Sequence, residues 1–267
     1  MRCRAIQDAD VPQLTALWLD SFPEKEEAAK LFFERNLSNA HSYLAEENDT
    51  VIAAVYLLDT TICDRQAHYL CGAATRRDCR GRGVMTALLN FALGDAAARG
   101  DWWSVLLPAN EGLYRFYGRL GYQALGAVCQ KTFDTAPSTL PTGGGTPDRE
   151  MLQRSCGGDK FLLWNKSEID FAAAYYSCYG VNILQTERAF ALWEQDGSYA
   201  DVFYAVYRDM EELKSLLFRA GVRRFTLTGS AGNPDLAGRE PLRCGMVKPL
   251  CADAPPLENV WIGLTLN

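Results

Sequence analysis

The sequence predicts an α+β (mixed α/β) protein in two domains. Three observations carry that expectation. Strand-like and helix-like stretches alternate along both halves of the chain. Hydrophobic residues make up 48% of the 267 positions, enough for a substantial core and too many for a disordered chain. Between the halves, Asp134 to Pro147 (DTAPSTLPTGGGTP) holds three prolines and three consecutive glycines, which disfavour both helix and sheet interior. The expected organisation is a domain over 1–133, a linker over 134–147 and a second α/β domain over 148–267.

In the first half, Arg4 to Gln7 reads as a short strand. Asp10, followed by Pro12 in the first turn and Gln13 three residues on, predicts a capped helix running towards Phe22. A second helix is expected over Glu24–Leu37, where Ala28, Leu31, Phe32 and Arg35 recur at helical spacing. Strands follow at Ser42–Glu46, Val51–Asp59 and Ala67–Ala74. Leu88, Leu89, Ala92, Leu93 and Ala96 mark the apolar face of a helix over Val84–Arg99, ended by Gly100. A buried strand at Trp102–Leu107, a helix over Leu113–Leu120 closed by Gly121, and one or two strands over Tyr122–Phe133 complete the half.

In the second half, Ser167 with Asp170 and Asp209 with Glu212 read as capping boxes for helices reaching Gly180 and Gly221. Strands at Arg188–Glu194 and Asp201–Tyr207 can pair through Asp196-Gly197-Ser198. Further strands are expected at Arg224–Thr228 and Trp261–Leu266. Trp164, Tyr175, Tyr176 and Trp193 are candidates for a pocket, although aromatics at such spacing more often build a core.

Several function classes are disfavoured. The N-terminus lacks a leader-like apolar stretch, and no window approaches the roughly 18 apolar residues of a membrane span. Nine scattered cysteines without a CxxC spacing suggest reduced thiols, no disulfide framework and no metal site, so a cytoplasmic setting is expected. A formal net charge of −6 argues against nucleic acid as a partner. Arg76, Arg77, Arg80 and Arg82 reverse that sign over one short segment, which suits a small anion.

That segment carries the chemistry. Tyr69–Gly83 (YLCGAATRRDCRGRG) places a glycine turn between a strand and the helix starting at Val84. Such a turn offers free backbone N–H groups at the positive end of a helix dipole. Gly81 and Gly83 lack the Cβ atoms that would hold an anion off. The Rossmann fingerprint fails, because Thr86 stands where its third glycine belongs, and no P-loop pattern occurs.

Arg80-Gly81-Arg82-Gly83, followed downstream by Leu113, Tyr114, Phe116, Tyr117, Leu120, Gly121 and Tyr122, resembles the acyl-CoA loop and the aromatic helix of the GCN5-related N-acetyltransferase (GNAT) family. The resemblance spans about residues 1–133. It implies a mostly antiparallel mixed sheet flanked by helices, with acetyl-CoA as acyl donor and a small-molecule or peptide amine as acceptor. It implies acyl-CoA contacts at Ala73, Ala74, Thr75, Arg80, Gly81, Arg82, Gly83, Val84, Met85, Asn110 and Tyr114. Met85 departs from the glycine or alanine frequent there, which a loop binding through backbone amides tolerates. Gly72, Ala73 and Ala74 should meet the pantetheine arm, and Tyr117 is the expected acid for the leaving thiolate. Many members carry a glutamate base near the start of this strand, where Ala67 and His68 stand here. His68 is therefore the first candidate base, although a lone histidine at a strand start is more often structural; Glu46, Glu47, Asp59, a water or the terminal carboxylate of Asn267 are the alternatives. Residues 151–267, through Cys244–Leu250, resemble the extension of tandem members. Lacking an arginine-glycine loop, this GNAT-like second domain is expected not to bind CoA but to wall the acceptor pocket or to form a subunit interface, with a homodimer left open. The rival readings are a non-catalytic acyl-CoA binder and an interaction protein whose Arg76–Arg82 is a basic turn.

Overall fold

The computed structural model describes residues 1–36, 41–137 and 148–265. The chain forms two compact units, Met1–Gln123 with Met246–Pro256, and Ala124–Gly245 with Leu257–Thr265. Of the expected linker, residues 138–147 lie outside the described residues, as do Leu37, Leu266 and Asn267.

The sheet of the first unit is laid down in chain order by β1 (Arg2–Ala5), β2 (His41–Glu47), β3 (Thr50–Ile62), β4 (Arg65–Thr75) and β5 (Trp103–Leu106). The first four pair antiparallel, β4 and β5 pair parallel, and Met246–Pro249 adds antiparallel to the far side of β5. Two tight hairpins connect β2 to β3 and β3 to β4 through Asn48-Asp49 and Cys63-Asp64, all four with φ between 50° and 59°. That is the left-handed pair a two-residue hairpin turn demands, met without glycine.

Helix α1 (Val11–Ser21) begins as expected, but its cap is a correction. The Asp10 carboxylate does not cap α1; it accepts from the Gln7 amide at 2.8 Å and from both terminal nitrogens of Arg4 at 2.7 and 2.8 Å. An arginine fork one strand away competes better for a carboxylate than a lone helical N–H. Helices α1 and α2 (Glu26–Asn36) cover one face of the sheet, where Trp18, Phe32 and Phe33 meet Tyr56 of β3 at centroid distances of 5.0 to 5.9 Å. Helix α3 (Val84–Arg99) covers the other face, setting Leu88, Leu89, Ala92 and Ala96 on Val55, Leu57 and Leu70. Strand β3 is thus buried on both sides and reads as an almost unbroken apolar run. Gly100, at φ 102°, ends α3 as expected. Helix α4 (Glu111–Arg119) then leads into Gly121 and Tyr122.

The second unit contains β6 (Gln123–Asp134), helices α5 (Arg149–Cys156) and α6 (Lys166–Ser177), strands β7 (Asn182–Gln185), β8 (Ala189–Asp196) and β9 (Tyr199–Tyr207), helix α7 (Met210–Arg219) and β10 (Arg224–Ser230). Its strands run in the order β7-β8-β9-β10-β6. The pairings are antiparallel, antiparallel, parallel and antiparallel. The series β2-β3-β4-β5 plus Met246–Pro249 repeats that wiring, and in each unit a helix joins the two parallel strands, α3 in the first and α7 in the second. A duplication invisible in the sequence is therefore visible in the backbone. Strand β11 (Leu242–Pro249) gives its Met246–Pro249 portion to the first unit. Strand β6, which follows α4 in the chain, instead pairs with β10, so it belongs with the second unit.

Other expectations need correcting here. The α6 cap is Asn165, whose side chain accepts from the Glu168 amide at 2.9 Å, not Ser167. Trp261–Thr265 is no strand beyond an isolated bridge between Trp261 and Phe161. Trp164, Tyr175, Tyr176 and Trp193 are all buried, which matches the core reading favoured for them over a pocket.

Candidate active site

The site arises where β4 and β5 stop pairing. Their parallel register covers Ala67–Tyr69 against Trp103–Val105, while β4 continues to Thr75. Along that free stretch β4 bulges: Ala54 opposes Ala74 but Tyr56 opposes Cys71, so Val55 faces both Gly72 and Ala73. A bulge turns backbone groups out of the ladder. A cleft of about 700 Å³ opens there, within the usual range for a small-molecule site.

Four elements build its wall. The end of β4 supplies Ala73, Ala74 and Thr75; the glycine loop supplies Cys79, Arg80, Gly81 and Gly83; the first turn of α3 supplies Val84, Met85 and Thr86. Helix α4 contributes Leu113, Phe116 and Tyr117, with Asn110 and Gly112 at its start, and the end of α1 adds Ser21 and Phe22. Nine of the eleven expected acyl-CoA positions are thereby brought together. Arg82 and Tyr114 are not among the lining residues. Arg82 turns to Glu47, 3.0 Å away, and Tyr114 packs partly buried against the α3 core. Ser21 and Phe22 escaped the sequence reading, because nothing in a helix's last turn marks it as facing a cleft two strands away.

The loop suits an anion for reasons visible residue by residue. Gly81 and Gly83 have φ values of 74° and 78°, which favour glycine, and nothing lies within 4 Å of where their Cβ atoms would be. Gly83 is the N-cap of α3 and brings no side chain to its end, so the amides of Val84, Met85 and Thr86 face outward uncapped. Three of the four arginines are neutralised: Arg76 by Asp78 at 2.6 Å, Arg77 by Asp20 at 3.3 Å and Arg82 by Glu47. Arg80 has no carboxylate partner among the described residues; its Nε donates to the Thr75 carbonyl at 3.0 Å. A free guanidinium beside open helix amides fits the phosphate groups of acyl-CoA.

Helix α7, the counterpart of α3, offers the opposite. The Asp209 carboxylate accepts from the Glu211 amide at 2.7 Å, and Glu211 and Glu212 fill its first turn. The end that is open and positive in the first unit is capped and acidic in the second.

Tyr117 is 6% exposed, and burial, aided by the nearby Cys71 thiol, pushes its phenol up to about 12. It is protonated at neutral pH, and no group among the described residues hydrogen-bonds its hydroxyl, which leaves that hydroxyl free to donate into the cleft. The Asn110 side chain caps α4 by accepting from the Leu113 amide at 3.1 Å.

His68 is a correction to the expected base. Its ring is fully buried and absent from the cleft wall, with Nδ1 2.6 Å from Asp101 and Nε2 2.7 Å from Ser104. The other candidates are elsewhere too. Glu46 pairs with Arg4, Glu47 with Arg82, and Asp59 lies 3.8 Å from His41. Among the described residues no carboxylate or imidazole lines the cleft, and no cluster of three or more His, Cys, Asp or Glu could hold a metal ion.

A strand-loop-helix anion cradle facing an aromatic helix, on a mixed sheet whose parallel pair splits, defines an acyl-CoA transferase type of domain. Residues 2–125 match the family model described as an acetyltransferase (GNAT) domain. The fold is similar to a GCN5-related N-acetyltransferase from Kribbella flavida, 18% identical over 95% of this chain and 72% of that one, at a TM-score of 0.69. It is similar to a GCN5-related N-acetyltransferase from Anabaena variabilis, 14% identical over 94% and 73%, at 0.68. A putative acetyltransferase from Pyrococcus horikoshii, 14% identical, matches over 99% of this chain and 94% of its own at 0.59. No curated protein sequence matches the chain. No helix among the described residues is long and apolar enough to cross a membrane.

Proposed function

We propose that the protein is an N-acetyltransferase that moves an acetyl group from acetyl-CoA to a primary amine of a small molecule or peptide. The observation that carries this reading is the meeting, in one cleft, of the uncapped start of α3, the unpaired Arg80 and the free Tyr117 hydroxyl. Bound acetyl-CoA supplies the activated acetyl group as a thioester. Gly81, Gly83 and the first amides of α3 hold the pyrophosphate, with Arg80 adding its charge. The bulged backbone at Gly72–Ala74 holds the pantetheine arm and polarises the acyl carbonyl.

Tyr117 acts on the leaving side. A phenol at about 12 keeps its proton more tightly than a thiol of ordinary pKa, roughly 8.5, so its first contribution is a hydrogen bond to the sulfur as negative charge builds there. The amine must lose a proton to attack, and with no carboxylate or imidazole on the described wall, that proton leaves to water.

Thermal unfolding with and without saturating acetyl-CoA, followed by CoA-release assays on an amine panel, tests the reading. A rise in Tm of several degrees with turnover on at least one amine is expected. A rise without turnover would support the non-catalytic binder, and no rise would remove acyl-CoA altogether. In the active case, Tyr117→Phe lowers kcat by about 100-fold with little change in acetyl-CoA affinity; an unchanged kcat would take Tyr117 out of the mechanism.

A further inference from the structure

Behind the cleft wall lies a row of buried polar groups that the proposed reaction never touches. His68 of β4 and Ser104 of β5 are direct partners in the parallel register. Asp101 Oδ2 lies 2.6 Å from His68 Nδ1, His68 Nε2 2.7 Å from Ser104 Oγ, and Ser104 Oγ 2.6 Å from the Tyr122 hydroxyl. All four residues are at most 3% exposed. Gln66 at 2.8 Å and Arg99 at 2.7 Å complete the far end by donating to Asp101.

The chemistry assigns each proton a direction. The Asp101 carboxylate only accepts, so Nδ1 of His68 is the donor. Burial keeps the imidazole neutral, and Arg99 already balances Asp101, so Nε2 accepts from the Ser104 hydroxyl. The Ser104 oxygen then accepts from Tyr122. A buried row in which Asp101, His68, Ser104 and Tyr122 are bonded in sequence fixes one geometry, because any displacement strands a polar group in the dry interior.

What the row fixes is the neighbour of Tyr117. The Tyr122 amide donates to the Tyr117 carbonyl at 3.1 Å, across a reversal that Gly121 makes possible at φ 88°. The two rings meet edge to face with centroids 5.5 Å apart. Among the described residues Tyr117 has no hydrogen bond to hold its hydroxyl, so its direction depends on these contacts and on Phe116, 5.1 Å away.

We propose that Asp101, His68, Ser104 and Tyr122 are positioning residues: the row pins Tyr122, and Tyr122 holds the Tyr117 ring so that its hydroxyl points into the cleft. The kinetic consequence rests on the reading of Tyr117 as the group that meets the leaving sulfur; the structural consequence does not.

The test uses the full chain labelled with ¹³Cζ-tyrosine, the Tyr117 resonance being identified by its loss in Tyr117→Phe. Tyr122→Phe keeps the ring and removes only the tether, and is expected to shift or broaden that resonance. It should also lower kcat by roughly tenfold, as small misplacements of reacting groups do, with the acetyl-CoA KM within about twofold. Added to Tyr117→Phe, it should change kcat by less than about twofold, because the effect passes through a hydroxyl already gone. An unmoved Tyr117 resonance in both Tyr122→Phe and Ser104→Ala overturns the proposal. So does a full tenfold loss in the Tyr117→Phe background, which marks a general structural role. If Tyr117→Phe alone retains full kcat, the catalytic reading of Tyr117 fails while the resonance still decides the positioning.

Discussion

A Cβ on Gly72 would lie 2.5 Å from Cζ3 of Trp18 and 2.7 Å from the Tyr56 ring. Gly72 also sits at φ 59°, so both backbone and space require glycine at the bulge that opens the cleft. Trp18 cannot retreat, being wedged against Phe22, Phe32 and Phe33 at 4.4 to 5.8 Å.

Gly72→Ala should therefore destabilise the protein by about 2–4 kcal/mol, from overpacking and the left-handed backbone together. For a chain of this size that lowers Tm by roughly 5–10 °C. Calorimetry showing a loss below about 2 °C would mean that α1 yields more easily than its packing implies.

The strands, the long α3 helix and the glycine loop were legible in the sequence because each is written locally. A 3.6-residue repeat, an apolar run or a glycine between arginines needs no partner to be recognised. The bulge was not, since it depends on Trp18 and Tyr56, distant in sequence. The fate of His68 was equally hidden: its hydrogen-bond partners, the acceptor Asp101 and the donor Ser104, come from just before and within the next strand of a parallel pair, beyond an intervening helix. The exchange that sends β6 to the second unit and Met246–Pro249 to the first has no local signature, and Asp10 shows that even a good capping pattern yields to an arginine fork six residues back.

Substituting Gly83 by valine tests the cradle. Its Cβ would enter open space, so the penalty on the fold is confined to the φ of 78°, about 1–2 kcal/mol. The ligand-free Tm should fall by a few degrees, and the rise on adding acetyl-CoA should vanish because the new side chain occupies the anion's approach to the α3 amides. A variant that keeps the full rise would place the cofactor elsewhere.

The contrast between α3 and α7 predicts one acetyl-CoA per chain. The second unit repeats the strand wiring, yet the Asp209 carboxylate already occupies the first amides of its corresponding helix, where an anion would sit, and Glu211 and Glu212 take up Lys214 and Arg188. Isothermal titration calorimetry should give a stoichiometry near one, unchanged in Asp209→Asn. A value near two would show that the acidic end binds the cofactor despite its charge.

His68 should make stability depend on pH in a defined direction. Burial pushes its pKa below the ordinary value, although Asp101 pulls the other way, so the folded protein takes up a proton on this ring only at lower pH than the unfolded chain does. Below about 6.5, where an unfolded histidine begins to bind its proton, the unfolded state gains protons that the folded state does not, and stability falls. For Asp101, burial raises the pKa but His68 and Arg99 outweigh it, so the net shift is down; its contribution is lost only as pH falls through the carboxylate range, well below this window. Tm should therefore decline between pH 7 and about 5, and it should decline less steeply in His68→Gln, which has no proton to take. The chain has only two histidines, so the ¹⁵N shifts of the imidazoles can be followed in the same samples. At about pH 6.5, the ordinary histidine value, the His68 signal should still be mainly that of a neutral ring; a mainly protonated ring there, or equal slopes for the two proteins, would mean that the buried row carries its charge differently and that Nε2 donates to Ser104 rather than accepting from it.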